Sequence, residues 1–337
     1  MSEQIPTIKE IARRLNVSIS TVSRALNNHP RIGVQTRELV QNLAKELGYE
    51  PNPKAIFFKQ KRSYVIGAVI PSISEDFFSR SISGIEEVAM AHGYTILFGQ
   101  SHDSLEKEIQ VIDAMRKQRV DGLLISLSKE TNNYDHLKSL SKVKIPVVYF
   151  DRVPKVSNVH KIYCDITNGT AELVDWLIKQ GHKRIALLNG PNEIVASKER
   201  LEGYIKGISK HKLKVDMQLV EQTDFSEAST FSALDKFLSH KRPPNAIISF
   251  NDYVHLDAVQ WAVKNNIAVN KDILFASFAN ISLNKYTTYP PLVSIDQSPY
   301  KQGQNAVQML LDILNAGDEF PADKFYHEKM PVELVHH

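Results

Sequence analysis

From residue 63 onward, short apolar runs with no polar alternation are separated by longer stretches that are apolar on one face only. "SYVIGAVIP", "YTILFG", "VDGLLISL" and "IPVVYF" are the runs; a helix from about Phe77 to "AHG" and another through "KEIQVIDAMRKQ" lie between them. A strand without a polar side is buried on both faces, which requires a parallel sheet covered by helices above and below. The pattern restarts with "GTAELVDWLIKQG", "RIALLNG", "ASTFSALDKFLS", "AIISF" and "ILFASF". Two lobes of doubly wound α/β sheet are therefore expected, with crossovers near residues 160 and 290, the second marked by "YPPL".

Residues 1 to 62 have a different texture and a different charge. They carry 11 Lys and Arg against 5 Asp and Glu, whereas the remaining residues carry 30 against 33. A basic module on a slightly acidic body points to a polyanion partner for the module, or to an ordinary solvated face. The single cysteine, Cys164, excludes a disulfide framework or a multi-cysteine metal site and reads as a packed residue in the strand "KIYCDI". The start "MSEQIPTIKE" has no basic and apolar signal pattern, and no run reaches the ~18 apolar residues of a membrane span, so a cytoplasmic protein is expected.

Within the basic module, Thr7 and Glu10 have the spacing of a capping box opening a helix through "IKEIARRL". "NVS" turns the chain, and the Ser18 hydroxyl is placed to cap a second helix, "ISTVSRALN". "VQTRELVQNLAKELG" places Leu39, Val40, Leu43, Ala44 and Leu47 at helical spacing, with Gly48 at the C′ position that favours positive φ. Asn52 and Pro53 then open a short helix ending in Lys59, Lys61 and Arg62; at this length it needs DNA or a partner chain to order it. The domains expected are a helix-turn-helix unit over residues 1–50, a hinge over 51–62 and a body over 63–337. The body's first lobe covers about 63–160 and 292–323, and its second about 161–291 and 324–337.

A helix fits the major groove of B-DNA, and a helix-turn-helix presents the first turns of its second helix to the base edges. Short hydroxyls bond phosphates without holding the backbone away, and one arginine gives a bidentate pair to guanine. Arg24 is thus the expected base reader, with Ile19 against a thymine methyl and Ser20 on the same face. By spacing alone the same helices also read as a packing motif. The residues go further: "TIKEIARRLNVSISTVSRALN", "TRELVQNLAKELGYEPN", "IGAVIP", "GIEEVAMAHGY", "VDGLLIS", "IPVVYFDR", "GHKRIALLNGP", "RLEGY" and "FND" follow one another in order. The whole chain resembles the lactose- and galactose-repressor (LacI/GalR) family of bacterial regulators.

The resemblance implies a helix-turn-helix headpiece on a periplasmic-binding-protein-like body, acting as a homodimer on pseudo-palindromic operator DNA. It assigns DNA contact to Thr7, Ser18, Ile19, Ser20, Thr21, Ser23, Arg24, Asn27, Asn52, Phe58 and Lys59. Phe58 occupies the position of a leucine that wedges into a base step, and Phe57 replaces a customary polar residue. Ile56, Phe57 and Phe58 also read as hinge packing. For the cleft between the lobes, the resemblance implies a sugar or nucleobase-type effector contacted by Asp151, Arg200 and Asn251, with Phe225 stacking on it, Phe77 and Phe78 at the mouth, and Gln297 on the wall. Alternatives remain for two of these: Asp151 with Arg152 reads as a strand-end ion pair, and Phe225 as core. Asp252 reads as a cap of the helix that follows it more than as a ligand contact. Ala279 stands where sugar-binding members often carry an aspartate, and Pro299 replaces a side chain that often lines the cleft.

The sequence contains no G-x-S-x-G elbow, H-E-x-x-H, phosphate-binding G-x-x-x-x-G-K-[ST] or G-x-G-x-x-G. No enzyme activity, metal or cofactor is expected. A transport protein sharing the body has no use for residues 1 to 62. The chemistry that remains is DNA binding, most simply repression, controlled by a small molecule that moves one lobe against the other. The end "MPVELVHH" has no heptad pattern, so tetramers through such a tail are not expected.

Overall fold

The computed structural model of the chain describes residues 6–49, 62–192, 194–321 and 323–337. It divides into two compact units, residues 1–63 and 64–337.

The first unit packs three helices: α1 (Ile8–Arg14), α2 (Ile19–Leu26) and α3 (Val34–Glu46). Ile11, Val22, Ala25 and Val40 are fully buried and form its centre, with Ala12 and Ala44 beside them. Ser18 caps α2 as its position demands, accepting from the Thr21 N–H at 3.0 Å. Gly48 follows α3 with φ +61°, the conformation that costs a side-chain-bearing residue strain. Two expectations fail. Thr7 precedes α1 but its hydroxyl caps nothing, and the Glu10 carboxylate instead takes the guanidinium groups of Arg13 and Arg14 at 2.8–3.1 Å. Charge-assisted bonds from two arginines outweigh one backbone N–H at an exposed helix end. Leu39 is 54% exposed, because the stripe facing the core runs through Val40, Leu43, Ala44 and Leu47 and leaves Leu39 on its flank.

The second unit contains two six-stranded sheets. Strands β1 (Val65–Ile70), β2 (Thr95–Gln100), β3 (Gly122–Ile125), β4 (Val147–Phe150), β5 (His160–Cys164) and β11 (His327–Met330) make the first, in the order β11-β5-β4-β3-β1-β2, all parallel. Strands β6 (Ile185–Asn189), β7 (Val220–Gln222), β8 (Ala246–Ser249), β9 (Leu274–Phe278), β10 (Val293–Asp296) and β12 (Glu333–His336) make the second, in the order β12-β10-β9-β8-β6-β7. Only β12 in that sheet pairs antiparallel. The central strands β3, β6, β8, β9 and β10 are buried throughout, as strands covered by helices on both faces must be.

Helices α4 (Asp76–Ala91), α5 (Leu105–Gln118), α6 (Asp135–Ser141) and α11 (Pro299–Ala316) cover the first sheet. Helices α7 (Ile166–Lys179), α8 (Val195–Lys210), α9 (Glu227–Ser239) and α10 (Asp252–Lys264) cover the second. Where α4 crosses α11, Gly84 and Gly303 let the backbones meet: a Cβ on Gly84 would lie 2.0 Å from the Tyr300 carbonyl oxygen. The lobe boundaries differ from those expected. β5 and β11 belong to the first sheet and β10 to the second, so the chain crosses after Cys164, after Asp296 and after Met330, not near residues 160, 291 and 323. "YPPL" is the turn that enters β10; the crossings fall beyond the strands, at their ends. Cys164 is buried at the first crossing: its Sγ lies 3.2 Å from both the Gln297 carbonyl oxygen and Gln302 Nε2, and burial pushes its thiol pKa up.

Candidate functional site

On α2, the capping that orders the first turn also fixes its outer face. The Ser18 hydroxyl lies 2.7 Å from that of Ser20 and 2.8 Å from that of Thr21, so three hydroxyls share one small cluster. Ile19 is 46% exposed, Ser20 and Arg24 are exposed, and Thr21 and Ser23 are half-buried. Among the described residues the Arg24 side chain makes no hydrogen bond or ion pair, and α2 contains no acidic residue to claim it. Asn27 is turned back on its own helix, its Nδ2 donating to the Ser23 carbonyl at 2.7 Å. Thr7 is exposed ahead of α1. Asn52, Phe58 and Lys59, with the hinge they belong to, lie outside the described residues.

In the second unit, the carboxyl ends of both sheets face one cleft, the position where open α/β sheets hold ligands. A cavity of about 320 Å³ there is lined by all seven residues expected: Phe77, Phe78, Asp151, Arg200, Phe225, Asn251 and Gln297. An adjoining cavity of about 120 Å³ shares Asp151, Arg152 and Gln297 and adds Tyr134, Tyr163, Cys164 and Glu199.

Each wall residue is held by its own backbone context. Arg200 projects from α8 and is 4% exposed, with its guanidinium 4.0 Å from the Phe250 ring centre and 4.2 Å from that of Phe278. Among the described residues its Nε and Nη1 have no hydrogen-bond partner. Burial lowers its pKa to about 10, against the opposing pull of Glu199 and Asp151, so it stays charged at neutral pH. Asp151 follows β4 at φ +58° and accepts from the Ser126 hydroxyl at 3.2 Å; burial raises its pKa. The ion pair between Asp151 and Arg152 is not the principal one. Arg152 pairs with Asp103 after β2 and comes only within 4.0 Å of Asp151.

Phe225 is not core. It sits after β7 with φ +72°, 38% exposed, its ring centre 4.9 Å from that of Phe250. Gly190 at the end of β6 leaves room for both rings, since a Cβ there would lie 2.9 Å from each. Phe77 and Phe78 meet edge to face at 5.2 Å at the start of α4. Asn251, not Asp252, caps α10, its Oδ1 accepting from Val254 N–H at 2.9 Å. Asp252 is fully buried and pins the loop after β9, accepting from Ser277, from the Ile281 N–H at 2.7 Å and from Asn284 at 2.9 Å. Ala279 in that loop lines the cavity at φ +96°. The Gln297 carbonyl accepts from Gln302 Nε2 at 2.9 Å, and no hydrogen bond of its amide is seen among the described residues.

Sequence reasoning missed Glu75, Asp103, Lys129, Phe250 and Tyr253, all on the cavity wall. Phe250 was findable, because it directly follows the carboxyl end of β8. Asp103, Lys129 and Tyr253 lie three or four residues beyond their strands and become visible only in three dimensions. The Tyr253 hydroxyl receives the Asp76 N–H at 3.3 Å across the cleft, and Arg80 on α4 reaches the Asn280 carbonyl at 3.2 Å and Asp296 at 3.6 Å. These contacts tie the lobes at the rim. Among the described residues no helix is long and apolar enough to cross a membrane, and no group of three or more His, Cys, Asp or Glu is placed to hold a metal.

A helix-turn-helix unit on one chain with a two-lobed binding body defines a class: the DNA-binding regulator that carries its own ligand sensor. The family described as "Bacterial regulatory proteins, lacI family" matches residues 7–52, and "Periplasmic binding proteins and sugar binding domain of LacI family" matches residues 63–328. The chain belongs to the LacI family of bacterial regulatory proteins. It is 31% identical over 310 residues to the HTH-type transcriptional repressor CytR of Escherichia coli (strain K12), covering 92% of this chain and 90% of that one. It is 29% identical over 328 residues to the repressor PurR of Vibrio atlanticus (strain LGP32), covering 97% and 95%. The solved structure of the Lac repressor dimer bound to operator and the anti-inducer ONPF matches with a TM-score of 0.83 at 25% identity over 98% of each chain. The protein is a DNA-binding transcriptional regulator with an effector-binding body, of the repressor kind.

Proposed function

We propose that this chain acts in the cytoplasm as a homodimeric repressor whose operator affinity is set by a sugar or sugar derivative bound between its lobes. The observation that carries the reading is Arg200, a buried charge at the wall of an open cavity whose Nε and Nη1 have no partner among the described residues. A buried donor left unmatched costs ~1–3 kcal/mol, which a ligand oxygen relieves on binding. Around it stand a carboxylate (Asp151), two amides (Asn251 and Gln297) and an aromatic plate (Phe225), a set suited to a ring bearing hydroxyls. The Lac repressor's complex with operator and a small ligand supports the pairing of the two binding functions in one chain.

In this reading residues 1–50 recognise the operator, 51–62 form the hinge and 63–337 form the sensor and dimerisation body. Arg24 reads a guanine, Ile19 packs on a methyl group, and Thr7, Ser18, Ser20, Thr21, Ser23 and Asn27 meet phosphates or base edges. Asn52, Phe58 and Lys59 act from the hinge, with Phe58 as the wedge that unstacks a central base step. Effector binding turns the two lobes relative to each other and thereby orders or releases the hinges of the dimer.

The test is selection of bound sequences from random duplex DNA by purified protein, with and without a panel of sugars. An enriched pseudo-palindrome whose recovery shifts with one sugar supports the proposal and gives the sign of the coupling. Enrichment that no sugar alters overturns the effector class, and no enrichment overturns the DNA-reading assignment.

A further inference from the structure

The second sheet has a basic pole at the amino ends of its strands. Three loops enter adjacent strands there: 180–184 leads into β6, 211–219 into β7 and 240–245 into β8. They are stitched together, since Arg184 bonds the Arg242 carbonyl and pairs with Asp216 at 3.2 Å, Asn245 N–H donates to the Arg184 carbonyl at 3.0 Å, and the His240 ring bonds the Gln218 carbonyl at 3.0 Å. These loops carry six Lys and Arg against a single carboxylate, Asp216, on a stretch of chain from residue 63 that otherwise has an excess of acid.

Helix ends account for only part of this charge. α7, α8 and α9 finish at the pole, and cations in a last helical turn offset the partial negative charge of the free carbonyls. Lys179 and Lys210 do so, held by Asp175 at 2.7 and 3.0 Å, and Arg184 has Asp216. Lys183, Lys212, Lys214, Lys241 and Arg242 lie beyond the helices, all exposed, and none makes a side-chain hydrogen bond or ion pair among the described residues. The carboxylates of Asp175 and Asp216 are already engaged, the first by Lys179, Lys210 and His211 and the second by Arg184.

We propose that this pole is a second nucleic-acid contact, separate from the helix-turn-helix, that grips the phosphate backbone of duplex DNA without regard to sequence. Protein interfaces are depleted in lysine and centre on aromatic and apolar anchors. Here four of the five free cations are lysines, and Met217 is the one large apolar side chain exposed on these loops. Lysine on a flexible stem is instead the point charge that follows a phosphate backbone.

The test titrates a random-sequence duplex of roughly 30 base pairs with the full-length chain from about 0.05 to 0.3 M salt, reading both affinity and the number of duplexes bound per dimer. Three forms are compared: the native chain, Arg24→Ala, and the fivefold variant Lys183→Gln, Lys212→Gln, Lys214→Gln, Lys241→Gln and Arg242→Gln. The native chain is expected to bind one class of duplex beyond that held by the helix-turn-helix. The fivefold variant is expected to lose that class, with its salt slope shallower by about 4.5 if each cation meets a phosphate, and with an unchanged melting temperature. Arg24→Ala is expected to keep it. Equal stoichiometry and slope in native and fivefold forms overturn the proposal, as does a native chain with no second class. Binding of poly-glutamate, but not duplex, in a manner the fivefold variant abolishes overturns it in favour of an acidic protein partner.

Discussion

Arg200→Met separates what the cleft costs the fold from what it does for the ligand. Burial lowers the Arg200 pKa from the ordinary arginine range to about 10. At ~1.4 kcal/mol per unit, holding the charge in the folded protein costs roughly 3 kcal/mol relative to water. The group is charged in both folded and unfolded states below pH 10, so the whole cost is present, and flat, across the neutral range. Against it stand the contacts with Phe250 and Phe278, each contributing about 0.5–2 kcal/mol as a cation over a ring face. Methionine of similar length keeps the apolar packing and removes both the charge and its two unmatched N–H groups. The net change expected is therefore between about 1 kcal/mol of destabilisation and about 2 kcal/mol of stabilisation, or from about 2 °C down to about 4 °C up in the melting temperature of a body this size. The same variant should lose the melting shift and the change in operator recovery produced by the effector. The assay is thermal unfolding at pH 7 with and without the sugar identified by selection, beside operator binding. A variant that melts several degrees lower yet keeps its response to the sugar refutes the argument, because Arg200 would then be holding the fold and not awaiting a ligand.

Arg24→Ala should weaken operator binding by ~1–3 kcal/mol and relax preference at one base pair per half-site, while Lys59→Ala weakens all duplexes alike; equal losses on operator and random DNA for Arg24→Ala would sink the base-reading role. Phe225 holds a left-handed backbone at φ +72° and an exposed ring, so Phe225→Gly should change stability by no more than about 1 kcal/mol, strain relief offsetting lost ring contact, while effector affinity falls at least tenfold by calorimetry. Ser18→Ala removes the α2 cap and should destabilise the first unit by about 1 kcal/mol, visible as faster amide exchange in α2. Burial lowers the His255 pKa from 6.5 to about 4, so its contribution is complete above pH 6.5 and is lost as pH falls toward 4. Unfolding of the native chain and of His255→Gln should diverge in sensitivity across that window by roughly 3 kcal/mol; parallel profiles would remove the assignment.

The sequence by itself determined the repeating units. Unbroken apolar strands between amphipathic helices leave no solution other than parallel sheets covered on both faces, and the capping serine with short hydroxyls and one arginine marks a helix meant to lie against a polar surface. Sheet topology alone points to a cleft beyond the strands' carboxyl ends; that Asp151, Phe225, Asn251 and Gln297 belong to it came from the resemblance to the LacI/GalR family, and the four line one cavity. These features are legible because helix and strand periods and caps act over a few residues. The tertiary structure decided which polar groups meet. Arg152 chooses Asp103, 49 residues away, over the adjacent Asp151; Asn251 takes the cap expected of Asp252, which is drawn into a buried network with Ser277, Ile281 and Asn284. The Thr7 and Glu10 box gives way to two arginines, and three loops distant in sequence assemble one basic pole. Such choices depend on desolvation and on which opposite charge lies nearest in space. Neither quantity exists until the sheets have stacked and the lobes have closed over their common cleft.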